Sequence, residues 1–480
     1  MKILLIQPPV EDFYSTAIRT YPLGLLCIAS APKKAGHAVV VFDAMASDAK
    51  EIVPVPEKMT YLKEFYKPGD KSPYRLFGHY QHFGTSWVDI EIRIVAEKPD
   101  LIGISSLFTP YHSSAMRTAR IAQSVFPTVP IVMGGPHVSA CGESSALVNQ
   151  VVAGEGEEAF CKIIGVPYDQ ELLADRSLVN PDNYIINGRR AAFYETSRGC
   201  PYACSFCSVH SVFNKYSVRK PEKVIAEIKE CAEQYGIRHF DFQDDSFGYS
   251  GQEAGALLKG IIDLRIPDIR LSVMNGICAH LLDRNLLALM RQAGFQDLNL
   301  SLASAQQGSC KCMGRPFDSE AFIRTVREAS ALGFSITAYF IAGLPNETID
   351  DMLFSLDFLR QLPVRIGVSI FYPVPGTRLF DYCVQKKYIN TRDYDLFRLS
   401  AASVETEKFS RADIMTLFYL SRVENLRKKI AASEGNTFEH ACLKEFETER
   451  KLFRYTKQGR EEAHYSPDVV EKYFERTHHG

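Results

Sequence analysis

The sequence predicts an α/β protein in three parts: a doubly wound parallel sheet over residues 1–165, six β/α units over 191–390, and a small, mostly helical part over 391–480, with a linker at 166–190. Three observations predict it. Short, nearly all-apolar runs alternate with helix-like stretches in the first third of the chain, as parallel strands buried on both faces require. The same alternation restarts after the linker, whose Pro167, Pro181 and Asn187-Gly188 read as turn punctuation. Directly after the first strand-like run of the second part comes Arg198-Gly199-Cys200-Pro201-Tyr202-Ala203-Cys204-Ser205-Phe206-Cys207, three cysteines at C-x3-C-x2-C spacing.

Composition narrows the class. A chain of 480 residues exceeds one ordinary core, and 46% hydrophobic with 23% charged residues is typical of globular domains. A net charge of −2 points to neither a nucleic-acid nor an anionic-membrane partner. No apolar run approaches a membrane span, and Lys2–Gln7 leads into Pro8-Pro9 instead of a signal peptide. Twelve cysteines without a secretory signal suggest a reducing cytoplasm and metal ligation.

In the first part, strands are expected at 2–7, 37–42, 101–105, 131–133 and 151–153, with helices at 22–34, 88–97 and 113–126 between them. Pro22 suits a first helical turn. Ligands of such sheets bind at the carboxyl ends of the strands. The turns there are Gln7-Pro8-Pro9, Ser105-Ser106-Leu107-Phe108-Thr109, Gly134-Gly135-Pro136-His137 and Gly154-Glu155-Gly156-Glu157. Residues 44–86 are irregular and rich in Tyr, Lys and Pro, and a solvated surface insertion is the default for such a loop. In the second part, strands are expected at 191–196, 238–243, 270–274, 297–302, 335–341 and 365–371, each followed by a loop or helix. Beyond it, 412–429 and 438–453 read as helices with charged outer faces.

The cysteine loop carries the most specific signal. Three thiolates from one short loop fit three corners of a [4Fe–4S] cube and leave the fourth iron free to bind a substrate. Structural zinc is a weaker reading because it wants four ligands, and a disulfide is weaker still because the set is odd. Cys310 and Cys312, at C-x-C spacing without a partner pair, do not make a second cluster motif.

The C-x3-C-x2-C loop, with an aromatic Phe206 before its third cysteine, resembles the signature of the radical S-adenosylmethionine (SAM) superfamily. The resemblance implies a cluster held by Cys200, Cys204 and Cys207, and a partial (β/α)6 barrel with its chemistry at the carboxyl ends of the strands. It also implies an external one-electron donor such as flavodoxin or ferredoxin. Asp241-Phe242-Gln243-Asp244-Asp245 ends the second strand, where relatives hold the SAM amino group, so Asp244 and Asp245 become candidates; helix capping is their alternative role. Asn275 ends the third strand and is a candidate for the SAM carboxylate or ribose. Gly343-Leu344-Pro345-Asn346-Glu347-Thr348 resembles the family's G-L-P-x-E-T turn and Pro373-Val374-Pro375-Gly376-Thr377 its P-x-P-G-T turn, which nominates Gly343 and Pro373. The fourth strand departs from the family: in Ser301-Leu302-Ala303-Ser304, Ala303 stands where relatives commonly carry glutamate, leaving Ser301 among the SAM-facing candidates.

The four turns of the first part resemble a cobalamin-binding domain. The resemblance nominates Pro8, Ser105, Leu107, Thr109, Gly134, Gly135, Pro136, Gly154 and Glu155 as corrin contacts, and a side chain at Gly135 is expected to block corrin uptake. No D-x-H-x-x-G motif is present to ligate cobalt, and His112 and His137 are more readily hydrogen-bonding groups. A domain that has lost its corrin is the alternative. The class implied is a cobalamin-dependent radical SAM enzyme, expected to methylate an unactivated carbon of a protein or peptide residue or of a small molecule. The 5′-deoxyadenosyl radical would abstract a substrate hydrogen and methylcobalamin would supply the methyl group. The rivals are ring contraction, cyclisation or another rearrangement on the same architecture, a methylthiotransferase, and a non-catalytic corrin or SAM sensor.

Overall fold

The computed structural model describes residues 1–14, 20–142, 145–169, 172–389 and 394–478. The expected boundary at 390/391 and positions 170–171 of the expected linker lie outside the described residues.

Five parallel strands form the first sheet: β1 (Lys2–Gln7), β2 (Ala38–Asp43), β3 (Leu101–Ser105), β4 (Ile131–Gly134) and β5 (Gln150–Val152), in the order β2-β1-β3-β4-β5. Ile3 through Ile6 are wholly buried, as a strand covered on both faces must be. Helices α1 (Leu23–Lys34) and α5 (Gly156–Ile164) pack on one face; α2 (Trp87–Glu97) and α3 (His112–Val125) pack on the other, with α4 (Pro136–Cys141) at the strand ends. The chain turns in opposite directions from β1 and β3, so a crevice opens at their carboxyl ends.

The barrel wall is β6 (Arg189–Tyr194), β7 (His239–Phe242), β8 (Arg270–Ser272), β9 (Asp297–Ala303), β10 (Ser335–Ala342) and β11 (Arg365–Ile370), all parallel. Between β8 and β9 the wall is joined by the isolated bridges Leu271–Phe295 and Ile277–Leu300 and by Asn299, which donates to Val273 O at 3.2 Å. The free edge of β11 would expose unpaired backbone groups. Asn425, on the helix Arg411–Ala431, covers them: its side chain accepts from Ile366 N and donates to Ile366 O, both at 2.8 Å.

Two expectations are corrected. Residues 44–86 are not a solvated insertion. They pair Gln81–Phe83 with Val10–Asp12 and Lys50–Ile52 in a small antiparallel sheet, then bury Met59, Leu62, Tyr66 and Tyr74 in the main core. Tyr66 and Tyr61 donate to the carbonyls of Ser400 and Ala401, so the segment splices the first and last parts of the chain. The expected helix at 438–453 is Thr437–Glu449; Arg450 turns left-handed, and Phe453–Thr456 forms a hairpin with Gly459–Glu462.

Arg398 ties the carboxyl-terminal part to the first sheet. It donates to Glu11 O at 2.6 Å and Pro110 O at 2.8 Å and pairs with Asp12 at 3.3 Å, with both side chains almost fully buried. Replacing Arg398 with Met should cost about 3–5 kcal/mol, because Asp12 would stay buried without its counter-charge. A urea-unfolding midpoint equal to that of the wild type would contradict this.

Candidate functional site

A single cleft of about 730 Å³ lies between the two sets of strand ends. Its barrel wall carries Cys200, Cys204, Phe206, Cys207, Gln243, Asp245, Asn275, Ser301, Arg315 and Tyr372; its other wall carries Ser105, Leu107, Thr109, Gly134, Gly135, Pro136, His137, Gly154 and Glu155.

The cysteine loop is held by backbone contacts on both sides. Asp244, fully buried, receives the Thr196 hydroxyl at 2.7 Å, the Ser197 hydroxyl at 2.5 Å and the amides of both residues, which fixes the turn between β6 and the loop. Ser205 N donates to Met313 O at 2.8 Å and Leu379 N donates to Ser205 O at 2.9 Å. Gly199 has φ +75°, and a Cβ there would sit 2.6 Å from Lys215 O, so only glycine fits the entry to the loop.

All three thiols are free; burial raises the pKa of Cys200, and crowding by surrounding protein pushes that of the solvent-exposed Cys207 up to about 11, with the neighbouring Cys204 and Asp245 adding to the shift. Among the described residues no three His, Cys, Asp or Glu side chains converge as a single metal ion requires. Cys200, Cys204 and Cys207 all line one wall of the cleft, and three thiols from one short loop are the donor set that a [4Fe–4S] cube with one open iron takes. Arg315, absent from the sequence-based candidates, adds a cation beside Cys278, Cys204 and Cys200. It donates to Ser301 O at 3.1 Å and Ser301 Oγ at 2.8 Å and keeps a buried Nε without a protein partner. Gln243 Nε2 is a second buried, unsatisfied donor on this wall. The signal that could have found Arg315 is its place one short helix beyond the fourth strand end.

The candidates separate into those that reach the cleft and those that do not. Asp245 opens into it, its carboxyl pushed up to about 6 by surrounding protein and the Glu195 charge. Asn275 also opens into it, and is braced by donating to Gln243 O at 2.9 Å. Asp244 does not reach the cleft; it is framework, and burial pushes its carboxyl up to about 6. Gly343 does not reach it either, since it faces Ile414 of the carboxyl-terminal helix. In the same turn Glu347, 1% exposed, receives the Ser304 hydroxyl, and Thr348 forms a capping box with Asp351. Pro373 is buried between Tyr372 and Val374, which line the cleft in its place. Pro8 borders a separate small crevice behind the Leu107–Phe108 turn.

The opposite wall carries the turns at the carboxyl ends of the first sheet's strands. The cleft continues between α1 and α5 over Gly103, Val132, Val152 and Phe160, an apolar slot suited to a flat ring. His137 lines the wall, meets Thr109 Oγ1 at 3.2 Å, lies against His112 with ring centroids 4.1 Å apart and planes tilted by 36°, and has a buried, unpartnered Nε2. Burial and His112 lower its pKa to about 3, so it is neutral. His112 itself meets Ser106 Oγ at 3.0 Å and does not line the cleft.

The expected role of Gly135 changes. It has φ +115°, and a Cβ would meet Ser106 O at 2.7 Å, so a side chain there collides with the protein before any corrin. At Gly134 a Cβ would meet only Val152, at 3.6–3.7 Å. Gly135→Ala should therefore lower the melting temperature of the corrin-free protein, at a cost of about 1–3 kcal/mol, whereas Gly134→Ala should not. Equal melting temperatures would contradict this. Asp244→Ala should lower both stability and iron uptake without touching a ligand; Asp245→Asn should leave both unchanged.

Residues 194–359 match the model of the Radical SAM superfamily and residues 80–164 that of the B12 binding domain. An uncharacterized methyltransferase of Pyrococcus horikoshii is 25% identical over 92% of this chain and 95% of its own. The anaerobic magnesium-protoporphyrin IX monomethyl ester cyclase of Rubrivivax gelatinosus is 23% identical over 75% of this chain and 71% of its own. Among solved structures, the radical SAM methyltransferase TsrM of Kitasatospora setae, with cobalamin and a [4Fe–4S] cluster bound, shares the fold with a TM-score of 0.60 at 18% identity, covering 81% of this chain and 79% of that one. With a cysteine loop on one wall of its cleft and a B12-type strand edge on the other, the chain carries a Radical SAM superfamily domain at residues 194–359 behind a B12 binding domain at residues 80–164.

Proposed function

We propose that the protein is a cobalamin-dependent radical SAM methyltransferase that methylates an unactivated carbon, on a protein or peptide residue or on a small molecule. One observation carries this reading: the cysteine loop and the B12-type turns line the same cleft, so a substrate between them touches both walls. When bound, the cluster supplies the electron that cleaves SAM, and the corrinoid supplies the methyl group.

The chain's own residues do the positioning. Cys200, Cys204 and Cys207 hold the cluster. Asp245 places a carboxylate, and Asn275, Gln243, Ser301 and Arg315 place hydrogen-bonding groups, around the space beside it, where SAM binds. Leu107, Thr109, Gly134, Pro136, Gly154 and Glu155 shape the corrin side, with Gly135 holding the turn. Neutral His137 presents no competing charge there. Tyr21, Phe193 and Phe213 line the cleft with apolar surface, which would lower its water content around a bound substrate.

The similarity to a cyclase supports a second reading, in which the same site closes or rearranges a ring. Products separate the two. A methyltransferase should convert one SAM to 5′-deoxyadenosine and one to S-adenosylhomocysteine per methylated product, and mass spectrometry of cell extracts should reveal a metabolite or peptide heavier by one methylene. 5′-Deoxyadenosine without S-adenosylhomocysteine, in the presence of the true substrate, would reject methyl transfer in favour of rearrangement. Changing all three loop cysteines to Ala should abolish iron binding and SAM cleavage; a full cluster in that variant would refute the ligand assignment.

A further inference from the structure

We propose that the outer face of the cysteine loop docks an acidic one-electron carrier protein of the flavodoxin type. The proposal rests on the reading of the loop as the cluster holder, since a cluster that cleaves SAM must be re-reduced from outside. The loop has two faces. Cys200, Cys204 and Cys207 line the cleft, whereas Pro201 and Ala203, between the first two cysteines, are exposed to solvent and do not line it.

Cations surround this outer face without counter-charges. Arg378 Nη2 donates to Ala203 O at 2.7 Å. Gly314 lies against both partners: a Cβ there would be 3.1 Å from Ala203 O and 3.7 Å from Arg378 Nη2. Lys311, exposed and one turn before Gly314, hydrogen-bonds it through the backbone. At the other end of the loop, His210 Nε2 is 3.0 Å from Tyr202 O, and the exposed Lys215 packs its backbone against Gly199. Lys215, Lys311 and Arg378 form no ion pair with a described residue. On the cleft side of the same loop, by contrast, Arg198 meets three carboxylates, those of Glu155, Glu157 and Glu195.

The sequence makes the asymmetry sharper. None of the chain's 57 Asp and Glu residues falls within 199–221, 298–317 or 358–380, the three segments that meet at this face. Acids bound these segments at Glu222, Asp297, Asp318, Asp357 and Asp381, and Asp381 is exposed one turn after Arg378. In a chain of net charge −2, so local an absence of carboxylates is a feature of this face and not of the protein as a whole. A basic patch over the thin outer edge of the loop would steer an acidic carrier to the shortest path to the cluster. One electron leaves the flavin hydroquinone, which becomes the semiquinone and keeps its N5 proton, and reduces the cluster by one.

The test uses the full chain reconstituted anaerobically, first checked to hold about four iron atoms. Reduced flavodoxin is mixed with it and semiquinone formation is followed, with dithionite as a reductant that needs no docking face. Flavodoxin-driven reduction should slow about tenfold as salt rises from about 20 to about 300 mM. Lys311→Glu should slow it about tenfold at low salt, Lys215→Glu should slow it less, and the dithionite rate of Lys311→Glu should match the wild type. A wild-type flavodoxin rate in an iron-loaded Lys311→Glu chain, or a rate independent of salt, would overturn the docking proposal while leaving the cluster reading intact. A chain that binds no iron fails the cluster reading instead. Heparin binding that depends on Lys311 while flavodoxin reduction does not would assign the face to a polyanion and overturn the proposal.

Discussion

Three arginines tie together the parts of the chain whose strands end at the cleft. Arg198 reaches from the loop after β6 to Glu155 and Glu157 at the start of α5. Arg176 is buried between the parts; it donates to Phe193 O at 2.7 Å and the Tyr21 hydroxyl at 2.9 Å and pairs with Glu227 at 3.2 Å. Arg398 closes the third side onto Asp12 and the Pro110 turn. A guanidinium suits this work because its planar fork satisfies several acceptors at once and stays charged when buried. Gly376 adds a close approach: a Cβ there would be 2.6 Å from Ala140 O, so the P-x-P-G-T turn of the barrel presses directly on α4 of the first sheet's domain.

Within that frame the site divides into groups that face the cleft and groups that hold them. Adjacent carboxylates have opposite tasks: Asp245 opens into the cleft, while Asp244 turns inward and collects four donors from Thr196 and Ser197. The bulge in β9 is held in the same way. Ala303 adopts a left-handed φ of 65°, and the buried Ser304–Glu347 hydrogen bond anchors the residue after it. Glutamate in the family's G-L-P-x-E-T turn thus acts here on the strand end, through Ser304, and not on a ligand.

The carboxyl-terminal part acts on the barrel's framework. Its long helix shields the β11 edge through Asn425, and its hairpin and the 44–86 segment share a hydrogen-bonded seam, with Lys71 N donating to Tyr455 O at 2.8 Å. The first and last portions of the chain therefore form one support behind the two sheets, and the cleft is left between them.

What the sequence by itself determined is local and periodic. Apolar runs such as Lys2–Gln7 and Leu101–Ser105 specify buried strands within a residue of their ends, because a strand covered on both faces is apolar through its middle and takes polar residues such as Lys2, Gln7 and Ser105 only at its ends. The cysteine spacing marks the loop as a cluster candidate because its three thiols lie within one short stretch, while Asp244, Met313 and Leu379 hold that stretch in place from outside it. Tertiary structure alone decided which of Asp244 and Asp245 faces the cleft, since a one-residue step at a strand end reverses direction and no pattern records which way the end bends. It alone brought Arg315 beside the thiols, Asn425 to a strand edge 59 residues away, and residues 44–86 into the core. Contacts of that kind depend on how separate elements close upon each other, and periodicity along a single element carries no trace of them.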